Sequence, residues 1–302
     1  MLAQWIFFLH YSILLGMKVI RAAVLGYCMG VRRAVDAAEK SLQENESLHK
    51  QIFTLGPLIH NPTVLKNLEN RGLRVLSTET VSSAGNSSVV IIRAHGTTPS
   101  VMRQLEQASV QIVDATCPRV HLSQKRAAEW SEKGYAVIIA GDRNHGEVTS
   151  IIGFAEEHFV QTFVVQDVDE ACKLSVPEKS ILIAQTTFSP EEFKKITAVL
   201  QSKNDKIVVF NSICSATLER QNALKDLAGQ VDGILVIGGR NSANTRRLYE
   251  TAASICHAAL IENETQIPPE FYDMEAVGIT AGASTPDEVI DKTERSLNSR
   301  KH

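Results

Sequence analysis

The chain has 302 residues, 44% of them hydrophobic, and a formal charge of −3 with Lys and Arg scattered along it. That suffices for a sizeable core in two or three units of ordinary size, and it excludes a peptide scaffold or a disordered tail. No basic block offers a phosphate-backbone footprint, so nucleic acid is not an expected partner. Five cysteines without a CxxC pair make neither a disulfide framework nor a zinc-finger pattern, which fits a reducing cytoplasm.

The opening run "MLAQWIFFLHYSILLG" falls short of the roughly 18 uninterrupted apolar residues of a membrane-spanning helix. It is interrupted by Gln4, His10, Tyr11 and Ser12, and it lacks a basic start and a small-residue cleavage site before Met17. Residues 1–16 therefore read as an upstream extension outside the fold, in preference to an amphipathic anchor, and no membrane partner is expected. Their removal is expected to leave activity intact.

From Met17 onward, apolar runs alternate with helical periods: "KVIRAAVLG", "SVVIIRAHG", "VQIVDATC", "YAVIIAGD", "SILIAQTT", "KIVVFNSIC", "DGILVIGG" and "EAVGITAGAS". Short continuous apolar strands separated by helices of 10–15 residues indicate βα units and mainly parallel sheets buried on both faces. The fold class is α/β.

Cys28, Cys117 and Cys214 each follow such a run and precede a helix. About 70 residues beyond each stands Thr98-Pro99, Ser189-Pro190 or Thr285-Pro286, a hydroxyl N-cap with proline at the first helical position. Glu192 and Glu288, three residues after Ser189 and Thr285, complete capping boxes. Between lie His60-Asn61, His145-Gly146-Glu147 and Asn241-Ser242-Ala243-Asn244. The chain thus reads as three divergent copies of one unit, expected at 30–116, 117–210 and 17–29 plus 211–302, arranged as a pseudo-threefold cloverleaf. In parallel sheets ligands bind beyond the carboxyl ends of strands, where all three cysteines and all three polar landmarks fall. Cys172 and Cys256 lie in helical stretches outside the pattern.

Three thiolates at one point need a cation. A disulfide leaves one thiol over, and structural zinc takes four closed ligands. A 4Fe-4S cluster held by three cysteines keeps one iron open to substrate as a Lewis acid. Taken singly, each cysteine would read as core packing; the matched spacing favours the cluster. His60, His95 and His145, with Thr186, Thr187, Ser242, Asn244 and Ser284, form a ring of polar groups at strand ends with helix N-termini behind them. That suits a phosphate or diphosphate, although neither GxxxxGK[ST] nor GxGxxG is present. Glu147 fits two roles equally at this point, a proton donor with a raised pKa in a closed cavity or a solvated first-turn glutamate.

The motifs "LGYCMGVRRAV", "LGPLIHNPTVL", "IIRAHGTTP", "VDATCPRV", "GDRNHGEV", "IAQTTFS", "NSICSAT", "VIGGRNSANTRRL" and "GITAGASTPD" resemble those of the IspH/LytB family of 4-hydroxy-3-methylbut-2-enyl diphosphate reductases, from Met17 to about residue 292. The resemblance implies reductive dehydroxylation of the allylic diphosphate to isopentenyl and dimethylallyl diphosphate, the last step of the non-mevalonate pathway, in the cytoplasm. It implies one 4Fe-4S cluster on Cys28, Cys117 and Cys214, with a ferredoxin or flavodoxin as electron donor. His60, His95, Ser242, Asn244 and Ser284 would grip the diphosphate, His145 and Thr186 would face the allylic hydroxyl, and Glu147 would deliver protons. Two departures stand out: Ala243 replaces a hydroxyl residue in the phosphate grip, and Glu219 stands where asparagine is expected. A cluster-based oxygen or iron sensor, needing neither Glu147 nor the phosphate donors, and a zinc-dependent hydrolase are the competing readings.

Overall fold

The computed structural model describes residues 17–45, 50–158 and 160–299; the expected extension at 1–16 lies outside them. In chain order the elements are β1 (Lys18–Arg21), α1 (Met29–Asn45), β2 (Gln51–Leu55), α2 (Pro62–Asn70), β3 (Leu73–Leu76), β4 (Ser88–Ile92), α3 (Pro99–Gln107) and β5 (Gln111–Asp114). Then come α4 (Pro118–Glu132), β6 (Ala136–Ala140), α5 (Gly146–Glu156), β7 (Thr162–Val165), α6 (Val168–Lys173), β8 (Ser180–Ala184), α7 (Pro190–Lys203) and β9 (Val208–Phe210). The last are α8 (Ser215–Ala228), β10 (Gly233–Ile237), α9 (Ala243–Ala253), β11 (His257–Ile261), β12 (Ala276–Ala281) and α10 (Asp287–Ser299).

The strands form three four-stranded sheets, ordered β3-β2-β4-β5, β7-β6-β8-β9 and β11-β10-β12-β1, every pairing parallel. The three orders share one plan, with a central pair (β2 and β4, β6 and β8, β10 and β12) flanked by a strand on each side. The fold is therefore α/β with three similar units. In the third, the place taken by β5 and β9 elsewhere is filled by β1, the first strand, in register from Lys18 opposite Ala276 to Arg21 opposite Ile279.

The central strands β4, β6, β8 and β10 are buried throughout. Ile138, Ile139, Ile181 and Leu182 are wholly enclosed, and each such side chain contributes about 1.5–3 kcal/mol relative to exposure. The helix after each cysteine packs on the next unit. Ala34, Val35, Ala38 and Leu42 of α1 join Ile52, Val89 and Ile91, Ala127 of α4 joins Val137 and Ile181, and Ala223, Leu224 and Leu227 of α8 join Ile20, Ile234 and Val236. Each thiol therefore sits at a crossover between units, which brings three distant sulfurs inward.

Local chemistry departs from expectation in several places. The first strand stops at Arg21, well short of the glycine that ends its apolar run. Ser189 does cap α7, accepting from Glu192 N at 3.3 Å, but the Glu192 carboxylate accepts from Val168 N and leaves the capping box half made. Thr285 caps nothing; its hydroxyl donates to Ile237 O at 2.9 Å, a bond across the third sheet. Cys256 lies in the bend after α9 instead of a helix, whereas Cys172 is on α6 and exposed. Among the described residues, no helix is long and apolar enough to cross a membrane.

Candidate active site

One backbone hydrogen bond occurs three times. Cys28 N donates to Ala283 O at 3.1 Å, Cys117 N to Ala94 O at 3.0 Å, and Cys214 N to Thr186 O at 2.8 Å. Each bond ties a cysteine to the segment just past the neighbouring central strand, so each thiol is fixed beside the polar group that segment carries: Ser284, His95 or Thr186. The cysteines also stand at helix starts. Cys117 and Cys214 are the N-caps of α4 and α8 with side chains free of capping bonds, and Cys28 precedes α1, its Sγ taking a long 3.5 Å contact from Val31 N. Helix N-termini favour negative charge. Burial raises the Cys117 thiol pKa, and the N–H groups of Arg119 and Val120 pull it back.

All three thiols line one cavity of about 800 Å³, counted with the solvent in its mouth. His60, His95, His145, Glu147, Thr186, Ser242, Asn244 and Ser284 line it too, so the expected cluster ligands, substrate contacts and proton donor all meet there. Close approach at this centre demands small residues. A Cβ on Gly30 would lie 2.7 Å from Cys117 Sγ, and one on Gly239 would collide with the His60 carbonyl.

The three imidazoles form a cluster with ring centroids 4.9, 5.0 and 6.1 Å apart. Burial, followed by neighbouring positive groups, lowers the pKa of all three, His95 strongly and His145 to about 4. Near neutral pH they are uncharged. Their ligand atoms lie within 4.8 Å of one another, close enough to hold a metal ion. Against that stands Arg93, whose guanidinium lies against Gly56 and Gly146 and whose charge lowers all three histidines. A fixed cation beside the cluster opposes a divalent metal and favours an anion. His95 Nδ1 and Asn244 Nδ2 are buried without a hydrogen-bond partner among the described residues, which leaves polar capacity open to a ligand. Ser284 Oγ donates to His60 O at 3.2 Å, and Ser242 Oγ caps α9 by accepting from Thr245 N at 3.3 Å.

Glu147 lies in the first turn of α5, after His145, whose Nδ1 accepts from Glu147 N at 3.2 Å. The solvated alternative does not hold, for the glutamate is 1% exposed. Its carboxyl group accepts from Thr186 N at 2.6 Å and from Thr186 Oγ1 at 2.8 Å. Desolvation outweighs those two bonds and raises its pKa to about 7. A carboxyl poised there can hold and release a proton under ordinary conditions.

Sequence reading passed over Arg93, at the end of a strand run, and Arg220 and Arg247, in helical stretches, since a lone arginine reads as surface. Arg247 Nη2 contacts Asp142 Oδ1 at 2.8 Å and Nη1 donates to Thr187 O at 3.0 Å, tying α9 to the second unit beside Glu147. Of the two departures noted, Ala243 is buried in the cavity wall, and Glu219 is exposed on α8.

Three thiols, one at each crossover between three repeated parallel units, opening on a shared cavity beside a histidine cluster and a buried carboxyl, define a class: three-lobed α/β proteins built around a common cysteine-lined centre. The profile of the LytB protein family matches residues 19–298, and the chain belongs to that family. It is 46% identical over 290 residues to the 4-hydroxy-3-methylbut-2-enyl diphosphate reductase of Treponema denticola, covering 93% of this chain and 99% of that protein. It is 38% identical to the enzyme of the same name from Alkaliphilus oremlandii, covering 93% and 99%. Among solved structures, it resembles (E)-4-hydroxy-3-methyl-but-2-enyl diphosphate reductase, the terminal enzyme of the non-mevalonate pathway, with TM-score 0.70, 35% identity and coverage of 93% and 99%. The E-1-hydroxy-2-methyl-but-2-enyl-4-diphosphate reductase of Plasmodium falciparum matches with TM-score 0.84, 26% identity and coverage of 94% and 87%.

Proposed function

We propose that this chain is a 4-hydroxy-3-methylbut-2-enyl diphosphate reductase, converting its substrate to isopentenyl and dimethylallyl diphosphate in the cytoplasm. The observation that carries the reading is the meeting of three thiols, three neutral histidines and a buried glutamate in one cavity. The reaction exchanges an allylic hydroxyl for hydrogen and releases water, consuming two electrons and two protons. A ferredoxin or flavodoxin is the proposed electron source.

The donor set fits a 4Fe-4S cluster on Cys28, Cys117 and Cys214: three free thiols at helix N-termini line the cavity, with no fourth cysteine among its lining residues. When bound, such a cluster supplies electrons singly and one iron without a protein ligand. The chain's own residues do the rest. His60, His95, Ser242, Asn244 and Ser284 hold the diphosphate, whose oxygens satisfy the partnerless His95 Nδ1 and Asn244 Nδ2. Holding that end, away from the bond that breaks, orients the reacting end. His145 and Thr186 flank Glu147 at the hydroxyl, and Glu147, protonated near neutral pH, gives its proton to the departing oxygen.

The test is anaerobic purification, iron and sulfide counting, and turnover of the diphosphate with a chemical reductant. Glu147→Gln is expected to keep the iron and lose turnover. Zinc in place of iron would overturn the reading, as would full turnover in the variant.

A further inference from the structure

Arg220, on α8, is 3% exposed and forms part of the cavity wall. Its Nη1 donates to Ala216 O at 2.8 Å and its Nη2 to Gly26 O at 2.6 Å. The first bond stays within its helix, and the second reaches across to the loop that carries Cys28. Its Nε is enclosed and has no partner among the described residues. No carboxylate pairs with it among the described residues, and Glu219, next in sequence, is turned to solvent. A buried guanidinium that is neither paired nor fully hydrogen-bonded costs several kcal/mol, so such a group implies a counter-charge. Arg220 lines the same cavity as Cys28 and Cys214, and thiolates held there would supply that counter-charge.

We infer that Arg220 is a positioning residue that is the fixed counter-ion of the thiolate-bound centre on its Cys28 and Cys214 side, holding the Cys28 loop through Gly26 and making the centre easier to reduce. The inference rests on the cluster reading of the three thiols. An iron–sulfur cluster's potential follows its net charge and the hydrogen bonds around it. A cation fixed beside it stabilises the state that has gained an electron. Lysine, which keeps the charge but not the planar fork, separates charge from tethering.

The experiment compares wild type, Arg220→Met and Arg220→Lys by redox titration of the anaerobically reconstituted protein and by melting of each cluster-free form. In Arg220→Met, the reduction equilibrium is expected to fall at least tenfold, about 59 mV for one electron. Its cluster-free form is expected to melt no lower than wild type, because an unpaired buried charge has gone. Arg220→Lys is expected to keep most of the wild-type potential. An unchanged potential in Arg220→Met overturns the inference, as does an equal fall in both variants or a cluster-free Arg220→Met that melts well below wild type. Should Arg220→Met bind no cluster, wild-type iron and sulfide counts in Arg220→Lys support the inference, and loss in both overturns it. Wild type that binds no iron and sulfide overturns the cluster reading itself, a failure visible before any variant is made.

Discussion

Glu147 makes a prediction that needs neither substrate nor metal. Its pKa rises from an ordinary 4.5 to about 7 on folding, a change worth about 3 kcal/mol at 1.36 kcal/mol per pH unit. The sign follows from the direction. Between pH 4.5 and about 7 the unfolded chain has lost this proton and the folded chain still holds it, so this group's contribution to stability is complete below that window and is lost across it. Glutamine preserves the shape. Its oxygen can accept from Thr186 N, and its amide can donate to Thr186 Oγ1, the atoms that now contact the carboxyl group at 2.6 and 2.8 Å. In metal-free protein, the urea stability of Glu147→Gln minus that of wild type is therefore expected to climb with pH through this window and level off about 3 kcal/mol higher. Taking the difference removes every other group that titrates alike in both proteins. A difference that stays flat from about pH 4 to 8.5 would refute the claim that burial holds the proton on this carboxyl group.

Other perturbations test the remaining parts of the site. Thr186→Val removes the hydroxyl donor to Glu147 and should move the carboxyl pKa upward by about 1 pH unit, read from the carboxyl infrared band, with Thr186→Ser restoring it. His145 has the opposite sign: its pKa falls from 6.5 to about 4 on folding, so stability is lost as pH drops through that interval. Asparagine can still cap α5, and His145→Asn should shrink the acid-side loss by about 3 kcal/mol in urea titrations at each pH. Gly30→Ala places a methyl group 2.7 Å from Cys117 Sγ; iron retention should drop while the circular dichroism of the metal-free protein is unchanged. Gly239→Ala forces the His60 carbonyl to move and should raise KM about tenfold with kcat nearly kept; a change confined to kcat would place His60 elsewhere in the mechanism.

Much of this architecture was legible because parallel strands buried on both faces leave continuous apolar runs. Central strands such as SVVII and GILVI announce themselves. The strands outside the eight runs were β2, β3, β7 and β11, short and mixed in burial; LRVL exposes its two middle residues, and QIFTL begins on an exposed glutamine. Spacing could reveal the triplication, but the threefold cysteine N–H bond depends on where a crossover helix lands. Capping boxes failed where tertiary contacts outbid local ones, with Glu192 drawn to Val168 and Thr285 to Ile237. Arg220 and Arg93 were missed for a related reason: their surroundings come from segments far away in the chain.

The first strand has a further consequence. Cys28 is fixed only when β1 has docked on β12 and its N–H has reached Ala283 O. During synthesis Cys28 is made long before its partners on and after β12, and it waits for them to be seated. On the proposed reading, assembly of a three-thiol centre would therefore wait for β12, and a product truncated before β12 would lack the bond that fixes Cys28.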